Sequence, residues 1–236
     1  MNKTYIEHEE ITLLENAANN LRDKLLIRLL YYSACRISEA LALTVKDIDF
    51  KQGIIIIKHL KDRIKLSCPD CGTRLSKANT YCPGCAQKVN KVIKEKFEQS
   101  RRRILPVDRK TLAMLKEYIY RGGPVNRDGQ LLLFGINRHR AWQVIKQCAI
   151  KAGLPRLINP ETGKEHNISP HRLRDAFAVH AIKHDDSGDG LRMLQEHLGH
   201  ASISTTMRYR KVAGEEHQQW YNKLFQGEDK TDGPKA

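Results

Sequence analysis

Apolar residues recur at helical spacing from residue 9 to 32, where Leu25, Leu26, Leu29 and Leu30 form a stripe that must be buried. The pattern predicts a core helix that the run Ser33-Ala34-Cys35-Arg36 interrupts; it restarts over Ile37 to Leu43 and leaves Arg36 at a helix junction. After Asp47-Ile48-Asp49 and the turn residue Gly53, the β-branched run Ile54-Ile55-Ile56-Ile57 predicts a strand. A second strand is expected at Arg103-Ile104-Leu105-Pro106-Val107, and the segment between the two strands reads as an insertion at a hairpin tip. Beyond residue 108 helical periodicity dominates: Leu112 to Tyr120, Ala141 to Lys151 ending at Gly153, Pro170 to Ile182, and Leu191 to Leu198. The expected fold is mainly α with a small antiparallel β-sheet, an α+β arrangement. Near the end, Trp220, Leu224 and Phe225 make a short apolar stripe that packs either on the chain's own core or on a neighbouring protomer. The polar residues 226–236 are expected to be a disordered tail.

Composition narrows the partners. The 236 residues are 40% hydrophobic and 29% charged, which suits one large domain or one domain with a small module. Lys and Arg number 41 against 27 Asp and Glu, a formal net charge of +14, so a polyanion is the first expectation. The longest apolar runs, such as Ile54 to Ile57, are four residues, and the polar start carries no signal-peptide core. A membrane partner is therefore not expected, and the chain reads as cytoplasmic.

The cysteines then single out one segment. Cys68-Pro-Asp-Cys71 and Cys82-Pro-Gly-Cys85 are two C-x2-C pairs separated by ten residues. Each pair can present two thiolates on one side of a tight turn, and two such turns build the closed all-sulfur cage of structural Zn²⁺. Too few apolar residues lie between 67 and 90 for the segment to fold unaided. Four thiolates leave no open coordination position, so the metal is expected to fold a ribbon-like module at 64–90 and not to do chemistry. Cys35 and Cys148 read as small buried apolar residues. Residues 61 to 103 also hold twelve Lys/Arg against four acids, +8 of the chain's +14, which favours phosphate contact.

A second constellation carries the candidate chemistry. Ser169-Pro170-His171-Arg172-Leu173-Arg174 reads as an N-cap, a proline at the first helical position, and a helix that puts His171 and Arg174 on one face near a positive dipole end. Arg36 has Glu39 three residues on, a carboxylate able to orient it. Leu198-Gly199-His200 is followed, nine residues after His200, by Tyr209. Taken in order, Arg36, His171-x-x-Arg174, Leu198-Gly199-His200 and Tyr209 closely resemble the catalytic domain of the tyrosine recombinases, the phage integrase family. The resemblance runs from about residue 8 to 225 apart from the cysteine insert, and implies a catalytic domain over 1–225.

The resemblance implies a site-specific recombinase or integrase. Tyr209 attacks a phosphodiester of double-stranded DNA to give a 3′-phosphotyrosine and a free 5′-hydroxyl; His171 is the candidate general base; Arg36 and Arg174 clamp the non-bridging oxygens; His200 bonds the phosphate and packs the site. No metal is expected for this chemistry. Dimers to tetramers on DNA are expected. The family's general-acid lysine lies on the hairpin after the first arginine, where Lys61 is the candidate, with Lys58 and Lys65 as rivals. The family usually carries an N-terminal helical domain before the catalytic one, whereas here the similarity begins within the first ten residues; the expectation is a catalytic-domain-only member or a fragment, with the ribbon supplying part of the grip on DNA. Arg138, Arg140 and Lys146, around the helix starting near Ala141, are candidates for facing DNA or solvent. Two other readings remain: a DNA-binding regulator with the same fold and little strand-transfer activity, and a type IB topoisomerase. A binding protein has no need of an attacking phenol, and the size and Leu-Gly-His spacing favour the recombinase over the topoisomerase.

Overall fold

The computed structural model describes residues 3–58, 63–76, 78–89, 93–97, 102–159 and 162–210. Lys61, the stripe of Trp220, Leu224 and Phe225, and the tail at 226–236 lie outside the described residues. The chain divides into two compact units, Met1–Ile57 with Ile104–Ala236, and Lys58–Arg103.

In the first unit the periodic stretch at 9–32 folds as two helices where the sequence predicts one: α1 at His8–Asn16 and α2 at Leu21–Tyr32. Asn20 is the physical reason. Its side chain accepts from the Asp23 backbone N–H at 2.9 Å, so it caps a new helix instead of continuing the old one. The expected stripe survives in α2, where Leu25, Leu26, Leu29 and Leu30 are at most 1% exposed. Ala34 then adopts φ 45°, and α3 follows at Ile37–Leu41 with Arg36 as its N-cap. A 3-10 turn at Val45–Asp47 leads to β1 (Ile48–Asp49) and β2 (Ile54–Lys58). The second unit holds β3 (Arg63–Ser67), β4 (Arg74–Leu75) and β5 (Ile93–Phe97), paired in the order β4-β3-β5. It takes in the expected module at 64–90 together with the strands that lead into and out of it.

The chain returns through β6 (Arg102–Pro106), which joins β1 and β2 in a sheet of order β1-β2-β6. The hairpin expected beneath the insertion is therefore present. Next come α4 (Arg109–Tyr120), the hairpin of β7 (Val125–Arg127) and β8 (Gln130–Leu132), α5 (Arg138–Lys151), the pair β9 (Leu157–Ile158) and β10 (Glu165–His166), α6 (Pro170–His184), α7 (Gly188–Leu198) and α8 (Ile203–Met207). The β7–β8 turn is Asp128-Gly129, with φ 51° and 75°, the positive values that a two-residue hairpin loop requires.

Two clusters of buried side chains organise this unit. The larger centres on α2 and draws in α1, α4, α5, β2 and the start of α6; Cys35 and Cys148 are buried in it, as expected. The smaller joins Ala34 to Ala178 and Ile182 of α6 and Leu191, Leu194 and Leu198 of α7, with Met207 and Tyr209 packed against it. Within the larger cluster Arg28 is buried, donating to Glu15 Oε1 at 2.9 Å, Thr111 Oγ1 at 2.6 Å and Asp108 Oδ1 at 2.7 Å, an ionic knot between α1, α2 and the cap of α4. No helix among the described residues is long and apolar enough to cross a membrane.

Candidate active site

Helix α6 supplies the centre of the site. Pro170 occupies its first turn, which fits a ring with fixed φ and no N–H, and α6 runs on with His171, Arg174 and Asp175 in its first two turns. Arg174 is only 4% exposed, and backbone carbonyls hold its guanidinium. It donates to Ala34 O at 2.5 Å and Leu198 O at 2.6 Å, and to His200 Nε2 at 3.2 Å. The left-handed conformation of Ala34, an uncommon one for a residue with a side chain, thus aims a carbonyl at the guanidinium two residues before Arg36.

Gly199, at φ 65°, ends α7 and turns the chain so that His200 meets Arg174. Accepting at Nε2 leaves Nδ1 of His200 to donate to the buried Thr206 Oγ1 at 2.9 Å. The Tyr209 ring follows α8 and lies 6.2 Å from the His200 ring, nearly parallel at 15°. Its hydroxyl donates to Asp175 Oδ1 at 3.0 Å. His171 Nδ1 lies 3.0 Å from that same oxygen, and Arg172 donates to Asp175 Oδ2 at 3.3 Å. Arg36 donates to Glu39 Oε1 at 2.9 Å, and its backbone N–H donates to Oε2 of the same buried carboxylate.

Four of the six catalytic residues read from the sequence, His171, Arg174, His200 and Tyr209, therefore belong to one hydrogen-bonded and stacked network in which Asp175 is the residue that sequence reasoning missed. Arg36 contacts Glu39 and stands two residues after Ala34, whose carbonyl holds Arg174. The signal for Asp175 was present as an acid four residues after a histidine on one helix, a pair that shares a face. Lys61 lies outside the described residues.

The electrostatics follow from these contacts. The hydrogen bond to Asp175 holds the His171 imidazole above its ordinary range, against the Arg174 charge. Burial first, and then the Asp175 carboxylate, push the Tyr209 phenol well above the usual tyrosine range, against Arg174 and Arg208. His171 and Asp175 also line an open groove of about 430 Å³ together with Trp142, Glu165 and His166. Arg138 and Arg140 are exposed at the start of α5, and Lys146 Nζ stands 5.3 Å from the Trp142 ring.

In the second unit, the Sγ atoms of Cys68, Cys71, Cys82 and Cys85 all lie within 4.8 Å of one another. Cys68 and Cys85 are 3.7 Å apart and Cys71 and Cys82 3.5 Å. The two turns repeat each other: Gly72 N donates to Cys68 O as Ala86 N does to Cys82 O, and both Gly72 and Ala86 have positive φ. The Thr73 hydroxyl and backbone draw Cys71 down to about 6. At Cys85 a Gln87 backbone hydrogen bond also pulls downward, but burial and the neighbouring thiols outweigh it and push the thiol up to about 12.

Comparison with known proteins places this geometry. The sequence model of the phage integrase family matches residues 4–216. The chain is 25% identical over 216 residues to tyrosine recombinase XerA of Pyrococcus horikoshii, covering 88% of this chain and 56% of that protein. It is 28% identical over 223 residues to tyrosine recombinase XerD of Neisseria meningitidis, covering 89% and 59%. The chain thus spans little more than half the length of these relatives. Among solved structures, the XerH site-specific recombinase bound to its palindromic difH substrate in a post-cleavage complex matches 94% of this chain and 53% of its own, with a TM-score of 0.62 at 18% identity, a likeness of fold.

Proposed function

The chain belongs to the phage integrase family, and from that membership we propose that it is a site-specific DNA recombinase or integrase that cleaves and rejoins strands through a covalent 3′-phosphotyrosine. The observation that carries this reading is the phenol of Tyr209 in one network with Arg174, His200 and His171. Tyr209 attacks phosphorus in line. Arg36, oriented by Glu39, and Arg174 neutralise the charge that grows on the non-bridging oxygens, because planar guanidinium forks match phosphate geometry. His171 adds a ring N–H donor at the phosphate, and His200, whose Nε2 accepts from Arg174, packs the site. Lys61, with Lys58 and Lys65 as alternatives, protonates the leaving 5′ oxygen. Double-stranded DNA is the substrate, held by two to four protomers, since exchanging strands between two duplexes needs a nucleophile at each cut. Relatives named as recombinases and the DNA-bound XerH support the assignment.

The four cysteines bind one structural Zn²⁺ in this reading. A tetrahedron with Zn–S of about 2.3 Å sets S···S near 3.8 Å, and the 3.5 and 3.7 Å separations fit it with little adjustment. Cys68, Cys71, Cys82 and Cys85 would hold the ion, which supplies folding energy to the inserted unit. Keeping four thiols reduced suits the cytoplasm. The positive charge of residues 61–103 adds to the grip on DNA.

The test of the activity is a trapped adduct. A site recovered by binding selection from a randomised duplex pool is nicked near the scissile phosphate and incubated with the protein. A denaturation-resistant complex joined to a 3′-phosphate is expected, and Tyr209→Phe should abolish it while retaining duplex binding. An adduct that persists in Tyr209→Phe assigns the nucleophile elsewhere; a protein that binds the site and never forms one is the DNA-binding regulator instead.

A further inference from the structure

A phenol attacking phosphorus must lose its proton, and the group that receives from Tyr209 in this structure is a carboxylate. We propose that Asp175 is the catalytic acceptor of the Tyr209 proton, with His171 held beside it as a charged donor; the inference rests on the strand-cleavage reading above. One oxygen of Asp175 accepts both from the Tyr209 hydroxyl at 3.0 Å and from His171 Nδ1 at 3.0 Å. The carboxylate is largely enclosed, its side chain 16% exposed against 74% for His171. A histidine that donates Nδ1–H to a carboxylate is favoured in its charged form, and a charged imidazole has no lone pair with which to take a phenolic proton. His171 suits a second task, presenting its remaining N–H to a phosphate oxygen.

The same carboxylate explains why the resting phenol keeps its proton. A standing phenolate beside Asp175 would place two negative charges on either side of a hydrogen bond, so the phenol stays neutral until the new bond begins to form. As Tyr209 Oη bonds to phosphorus the hydroxyl acidifies, and its proton passes to Asp175 Oδ1. The P–O5′ bond breaks, and the 5′ oxygen leaves as the alcohol with a proton from the hairpin lysine. Rejoining runs backwards: the 5′-hydroxyl attacks, the lysine recovers its proton, and protonated Asp175 returns the other to the departing phenolate. His171 and Arg172, which both contact the carboxylate, hold it in place through the cycle.

The test compares adduct formation on the selected nicked duplex. Asp175→Asn keeps the shape and removes the basic oxygen; its rate should fall about 10²–10⁴-fold, the usual worth of a positioned base, while the variant stays folded and still binds duplex. Replacing Tyr209 by a fluorinated tyrosine, whose phenol releases its proton more readily, should then restore at least tenfold of that loss in Asp175→Asn and change the parent little. A merely structural Asp175 would give no such rescue. Adduct formation within threefold of the parent in Asp175→Asn, or a loss that fluorination leaves unchanged, overturns the inference. Should Asp175→Asn fail to fold, Asp175→Glu carries the same comparison: a displaced carboxylate must slow the reaction and be rescued by fluorination, and a parental rate overturns the inference. A parent chain that forms no adduct overturns the strand-cleavage reading itself, which keeps the two failures apart.

Discussion

Removing metal from the four-cysteine cage should unfold the inserted unit and leave the helical unit standing. Among the described residues, the cage's own cluster contains, besides cysteine, only Leu66, Leu75 and Val89. Fully buried aliphatic side chains contribute about 1.5–3 kcal/mol each, so these three supply under about 9 kcal/mol. Ordering the backbone of residues 68–89 costs at least about 1 kcal/mol per residue, on the order of 22 kcal/mol. The shortfall of at least about 13 kcal/mol is of the same order as the 10–16 kcal/mol that a structural zinc provides in small peptides. Native mass spectrometry should therefore find one zinc per chain. Chelation should open the exposed Arg74 and Lys88 to trypsin while helical circular dichroism holds. Because thiols must shed protons to bind the ion, metal should also be lost as the pH falls. Trypsin resistance at those two residues after chelation, or less than one zinc per chain, would refute the reasoning.

Other expectations follow from the geometry. Arg28→Met leaves Glu15 buried without its main partner and should cost about 3–5 kcal/mol in chemical denaturation, whereas Arg28→Met with Glu15→Leu should recover much of it; equal losses would deny that the stranded charge is the cause. In an NMR titration His171 should stay charged above the ordinary imidazole value of about 6.5, and Asp175→Asn should bring it down. The His171–Asp175 pair accordingly contributes its stability below about pH 6.5 and loses it as pH rises through the raised value. Replacing residues 66–90 by a Gly-Ser turn removes Arg74, Lys77 and Lys88, so duplex affinity should weaken and the salt slope flatten by at most about 2.7; unchanged binding would remove the insert from the DNA interface.

What the sequence disclosed depended on how local the cause was. The cysteine spacing, the strand at Ile54–Ile57 and the α2 stripe are patterns within a few residues, and each stands in the structure. The division between α1 and α2 was also local, but the apolar periodicity runs across Asn20 and masks its capping chemistry. Asp128-Gly129 is a hairpin signal that the helical rhythm on either side obscured. The bond from Tyr209 to Asp175 spans 34 positions, and the bond from Arg174 to the Ala34 carbonyl spans 140. No periodicity encodes such contacts; they follow only from the packing of α6 against its neighbours.

The smaller buried cluster beneath Tyr209 shares few side chains with the larger one. The nucleophile therefore rides on its own keel. A substitution at Leu29 or Leu30 acts first on the larger cluster, whereas one at Ile182, Leu191 or Leu194 acts on the cluster against which the tyrosine packs. Reactivity and durability can thus drift apart over generations of this protein, each answering to a different handful of aliphatic residues.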